Sequence, residues 1–140
     1  MIIDRNMMNE TIEQLLNEVS RNHREHGRLT DEVLSALRFV FQAPLLSALD
    51  LVDKEAVTTL ESPSGRKVYQ VVGTSGTPYT CYENSNFCCC PAYKFSVLKK
   101  NDHIMCKHVL AIELSNRLEK TKREQVNNQE LCNIIQQIMN

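Results

Sequence analysis

Met8, Ile12, Leu15, Leu16 and Val19 recur at the spacing of one helical face, i, i+4, i+7, i+8 and i+11, and predict an amphipathic first helix. Gly27, after His23-Arg24-Glu25-His26, is its expected stop. Thr30 is the expected N-cap of a second helix, with Asp31 and Glu32 suited to its positive end. Val33, Leu34, Leu37, Val40 and Phe41 form the apolar face of that helix. Pro44 fits the first turn of a short third helix carrying Leu45, Leu46, Leu49 and Val52.

The period then changes from helical to alternating. Residues 57–61, 67–73 and 78–83 are rich in β-branched and aromatic side chains. Ser62-Pro63-Ser64-Gly65 and Thr74-Ser75-Gly76-Thr77 separate them as turns. These segments predict three short antiparallel strands. Pro91 can open a helix through about Leu98, broken by Lys99-Lys100-Asn101-Asp102. Met105, Val109, Ile112 and Leu118 predict a helix starting near Cys106. A polar stretch covers 119–130, and Leu131, Ile134, Ile135 and Ile138 mark a last amphipathic helix. The expected fold is α+β: N-terminal helices, a small three-stranded antiparallel sheet, a cysteine-rich knuckle and C-terminal helices. We divide the chain into a helical region 1–56, a region 57–118 of strands, knuckle and helix, and a C-terminal helix 119–140, all in one compact unit.

The chain has 140 residues, 42% hydrophobic and 24% charged, enough for one domain with a core of its own. No apolar run reaches the roughly 18–20 residues that span a membrane. Met1-Ile2-Ile3-Asp4-Arg5 lacks the pattern of a signal peptide, so a cytosolic or nuclear protein is expected. The formal net charge of −1 offers no global attraction for a phosphate backbone. Locally, residues 87–120 carry six basic side chains against three acidic ones, a mild positive patch.

Cysteine placement changes the picture most. Four of six cysteines lie within 81–90, three of them consecutive. Consecutive cysteines cannot bridge one another without severe strain, and without a secretion signal a metal fits better than a disulfide framework. Cys88-x-Cys90 and, fifteen residues on, Cys106-x-His108 supply three thiolates and an imidazole, a full tetrahedral set for one structural zinc ion. Residues i and i+2 face different sides of a helix. Cys106 is therefore expected just before a helix and His108 in its first turn, where the helix end favours a thiolate. Cys89 competes with Cys88 for the ligand register, though adjacent cysteines chelate poorly. His103 is a competing nitrogen ligand. Cys81, on a strand, and Cys132, on the last helix, read as core or surface thiols, and His23 and His26 as solvated residues.

The two pairs match the pattern of the SWIM zinc finger. That module also occurs in transposase-related proteins, kinases and ubiquitin ligases, so the surrounding residues matter. Ala48-Leu49-Asp50-Leu51-Val52-Asp53, Ser62-Pro63-Ser64-Gly65-Arg66-Lys67-Val68-Tyr69-Gln70-Val71, Cys90-Pro91-Ala92-Tyr93, Phe95-Ser96-Val97-Leu98 and Cys106-Lys107-His108-Val109-Leu110-Ala111 together resemble the small SWIM-domain subunits of Shu complexes. The resemblance covers roughly residues 33–118; the two ends match only in helical character. Cys89 stands where the pattern allows any residue.

The resemblance implies a non-enzymatic nuclear subunit of homologous recombination. Such a subunit pairs with a RecA-like recombinase paralogue and promotes recombinase filaments on single-stranded DNA in repair and meiosis. Membranes and small-molecule substrates have no part in it. It implies zinc ligation by Cys88, Cys90, Cys106 and His108, and a packing role for Ala111, whose small side chain lets the helix approach the knuckle. The alternative is a module that binds nucleic acid directly through Arg66, Lys67, Lys94, Lys99, Lys100 and Lys107, with Tyr93 or Phe95 stacking on bases. A hydrolytic zinc or a reactive Cys89 is a third reading. It is disfavoured because four protein ligands leave no open position and no Asp or Glu adjoins them.

Overall fold

The computed structural model describes residues 5–82, 90 and 105–139. Helix α1 is Arg5–His26, with Ile12, Leu16 and Val19 buried. Gly27 ends it at φ 69°, donating its N–H to the His23 carbonyl at 3.0 Å. Helix α2, Asp31–Phe41, buries Val33, Leu37 and Phe41. Thr30 is its N-cap residue, but the expected hydroxyl cap is absent. The Thr30 N–H instead donates to Asn22 Oδ1 at 2.8 Å, so the bond fastens the start of α2 to α1. Helix α3, Pro44–Asp53, has proline in its first turn and buries Leu45, Ala48, Leu51 and Val52. Leu46, expected on the buried face, is 67% exposed. One residue turns about 100° around a helix, and the inward face is centred on Ala48 rather than between Leu45 and Leu46.

Strands β1 (Val57–Glu61), β2 (Lys67–Val72) and β3 (Pro78–Tyr82) fall where the alternation placed them. They pair antiparallel in sequence, Val57 opposite Val71 and Tyr69 opposite Cys81. Because side chains alternate across a strand, Val57, Tyr69, Val71, Tyr79 and Cys81 share one face. That face joins the main core with α1–α3 and with a helix α4, Lys107–Arg117. Leu60, Val68 and Tyr82 belong to the other face and pack with Leu131, Ile134 and Ile135 of helix α5, Asn128–Met139. The sheet is thus covered on both sides.

A fourth strand corrects the expected three. β4, Lys122–Gln125, lies beside β1 and parallel to it, giving the order β3-β2-β1-β4. All its residues are exposed, so it carries no apolar signal; backbone pairing with β1 defines it. Its charged sequence suits an edge, where like strands must not add on.

Helix α4, Lys107–Arg117, occupies the centre. His108 to Ile112, Leu114 and Ser115 are all buried, nearly the whole circumference, as expected of a helix with neighbours on every side. It packs on α3, α1 and the first three strands. The helix expected from Pro91 to about Leu98, and its break at Lys99–Asp102, lie outside the described residues. Among the described residues no helix is long and apolar enough to cross a membrane.

Candidate metal centre

Three of the four expected ligands converge. One ligand atom each from Cys90, Cys106 and His108 lie within 4.8 Å of one another, and all three residues are buried. Bond lengths of about 2.3 Å to sulfur and 2.0–2.1 Å to nitrogen make the edges of a zinc tetrahedron roughly 3.6–3.8 Å. The trio is therefore nearly at coordination distance, and two thiols with an imidazole are the donors zinc prefers. Cys88, the fourth expected ligand, lies outside the described residues, as do its competitors Cys89 and His103.

The local sequence explains why two of these side chains meet. Cys106 is the N-cap of α4, with extended backbone (φ −74°, ψ 165°), and His108 is the second helical residue. The cysteine thus precedes the helix and the histidine sits in its first turn, as the spacing required. The Cys106 sulfur accepts the Val109 N–H at 3.5 Å. An N–H bond and the positive end of a helix both favour negative charge on that sulfur. Ala111, one turn on from Lys107, is fully buried.

Tyr79 completes the described surroundings and was not foreseen. Its ring stacks on His108 with centroids 4.3 Å apart and planes inclined by 27°. Only the pairing of β3 against α4 brings them together. The alternation that puts Tyr79 on the same sheet face as Cys81 was the one available hint. Beside the trio opens a cleft of about 490 Å³, lined by Asp50 and Lys54 of α3, Tyr79, Cys90, Lys107 and His108 among others. Lys54 is held by Asp50 at 2.8 Å.

The remaining thiols separate as expected. Cys81 is buried in the core and Cys132 is exposed, neither in a disulfide. Among the described basic candidates, Arg66 and Lys107 border different clefts. Arg66 borders a small cleft beneath α5 with Leu131 and Ile135. Lys67 pairs across the sheet with Glu61, and Lys107 faces the cleft at the metal centre. Lys94, Lys99 and Lys100 lie outside the described residues.

Comparison with known proteins extends this geometry. The chain is 47% identical over 126 residues to zinc finger SWIM domain-containing protein 7 of Mus musculus, covering 90% of this chain and 83% of the relative. The protein of the same name from Danio rerio is 47% identical over 123 residues, 88% of each chain. That from Homo sapiens is 44% identical over 124 residues, 89% of each.

The chain belongs to the zinc finger SWIM domain-containing protein 7 family.

No family model matches it, and no solved structure does. The Cys90–Cys106–His108 trio offers the donors a zinc ion prefers, and the relatives carry zinc finger in their names.

Proposed function

We propose that the chain is a non-enzymatic, zinc-stabilised nuclear subunit of a Shu-type complex. It docks on a RecA-like recombinase paralogue and promotes recombinase filament assembly on single-stranded DNA during recombination repair and meiosis. One structural zinc is held by Cys88, Cys90, Cys106 and His108. The observation that carries this proposal is the buried trio itself: a thiol from the segment after β3 meets a thiol and an imidazole at the start of the central helix, in a chain of the SWIM family. Zinc bound there supplies a cross-link between the segment after β3 and the start of α4. With four protein ligands it has no position for a reacting water.

Among the described candidate cations, Arg66 and Lys107 border different clefts, one under α5 and one at the candidate metal centre, which favours a subunit role over direct nucleic-acid binding. A backbone-tracking groove needs its cations along one path.

Co-purification tests the proposal. The wild type should carry one zinc per chain by elemental analysis and capture a RecA-like paralogue. Cys106→Ser and His108→Ala should lose zinc and partner together. A His108→Ala protein that keeps zinc and its fold overturns the ligand set. A zinc-loaded wild type that ignores the partner, yet binds single strands alone with steep salt dependence, overturns the subunit role.

A further inference from the structure

We propose that Tyr79 is a positioning residue of the metal centre, its ring holding the His108 imidazole in the orientation that coordinates and slowing metal loss through the adjoining cleft. This rests on the zinc proposal above and goes beyond it, because Tyr79 is not a ligand.

The geometry supports the role in three ways. First, the rings are stacked rather than edge-on, 4.3 Å apart and inclined by 27°. Stacking occupies the face of the imidazole, whereas a metal is bound by a lone pair in the plane of the ring. The two contacts are compatible, and the first limits rotation of the ring about its bond to Cβ. Second, a metal draws electron density from the imidazole, so the face of a phenol becomes a better neighbour on loading. Metal and stack should therefore reinforce each other. Third, Tyr79, Cys90 and His108 line the same cleft of about 490 Å³, while His108 itself is only 5% exposed. Tyr79 is half-buried at that boundary, placed where a ring can cover the ligand.

Tyr79 is held there by the sheet. It is paired with Val71, one residue from the buried Thr80 and two from the buried Cys81. A ligand histidine on a helix is thus oriented by a strand distant in sequence, the kind of support outside the ligand shell on which metal affinity commonly depends.

The full chain, loaded with Zn²⁺ or with Co²⁺ as a spectroscopic probe, provides the test. Wild type, Tyr79→Leu, Tyr79→Phe and Tyr69→Leu are compared by the rate of metal transfer to a chelator and by the visible Co²⁺ spectrum. Tyr69 is the control: it is a half-buried tyrosine on the same sheet face, hydrogen-bonded to Asn116 rather than stacked on His108. Tyr79→Phe keeps the ring face and should behave as wild type. Tyr79→Leu should release metal about three- to tenfold faster, in line with the worth of one aromatic pair, and should alter the Co²⁺ bands. Tyr69→Leu should do neither. Wild-type release and spectrum in Tyr79→Leu, or equal effects in Tyr69→Leu or Tyr79→Phe, overturn the proposal. Should the leucine variant not fold, Tyr79→Met removes the ring while keeping bulk and is read the same way. A wild type that takes up no metal refutes the zinc proposal instead, so the two failures are distinct.

Discussion

Cys106 stands in two settings at once. It is the N-cap of α4, with the Val109 N–H on its sulfur, and it belongs to the buried trio with Cys90 and His108. The spacing Cys106-x-His108 made the start of the helix legible, because only a helix that starts between them lets the two side chains aim at one point. Glu113, further along the same helix, carried no signal in the sequence. Burial raises its carboxyl above the usual carboxylate range, Arg117 opposes the rise, and Glu13 adds to it. With a folded value above the unfolded one, the unfolded state releases the proton first as pH climbs, so ionisation of Glu113 lowers stability at neutral pH. Glu113→Gln should therefore be more stable than wild type near pH 7. The gain should shrink as pH falls through the raised value and vanish below the ordinary carboxylate range. Urea denaturation of both proteins across that range measures it; the difference cancels acid effects on the metal centre, which both share.

At the scale of elements, the apolar stripes located α1–α3 and the alternation located β1–β3, because each buries one face against the rest of the molecule. The ends of helices were less legible. α3 and α4 close with Glu55 and Glu119 in the left-handed region, at φ 52° and 57°. The next N–H reaches back over the turn, Ala56 to the Leu51 carbonyl and Lys120 to that of Ser115. Glycine normally marks such an end; glutamate there hides it. β4 was illegible for a related reason, since four exposed polar residues become a strand only through the backbone of β1. Its neighbour α5 was plain from Leu131, Ile134 and Ile135, but not the surface it covers. Leu131 is 2% exposed against Leu60 and Val68. Leu131→Ala should cost about 2–4 kcal/mol in urea denaturation, as a large buried side chain deleted from a packed site. It should also raise hydrogen exchange in β1 and β2 while leaving zinc content unchanged.

In the whole molecule α4 joins the metal centre to the rest of the core. Its first turn carries His108, its body packs on α1 and α3, and its last residue, Arg117, reaches across to Asn17 of α1 at 2.8 Å and Glu13 at 3.4 Å. Removing zinc should therefore be felt beyond the ligands. Chelation is expected to lose helical ellipticity and to expose amides in α4 first and then in α1 and α3, because the binding energy of such sites is coupled to folding, on the order of 10 kcal/mol in small zinc modules. Hydrogen exchange read by mass spectrometry, with and without chelator, checks this. Loss of protection confined to the first turn of α4 would contradict it.

By itself the sequence determined what repeats locally: helical stripes, strand alternation, and the Cys106-x-His108 spacing that marks the start of α4. The tertiary structure alone decided what depends on meeting a distant partner. It placed Tyr79 against His108, separated Arg66 from Lys107, gave β4 a strand to pair with, and surrounded α4 on all sides. A periodic pattern says which face of an element is buried. Only packing says what lies against it.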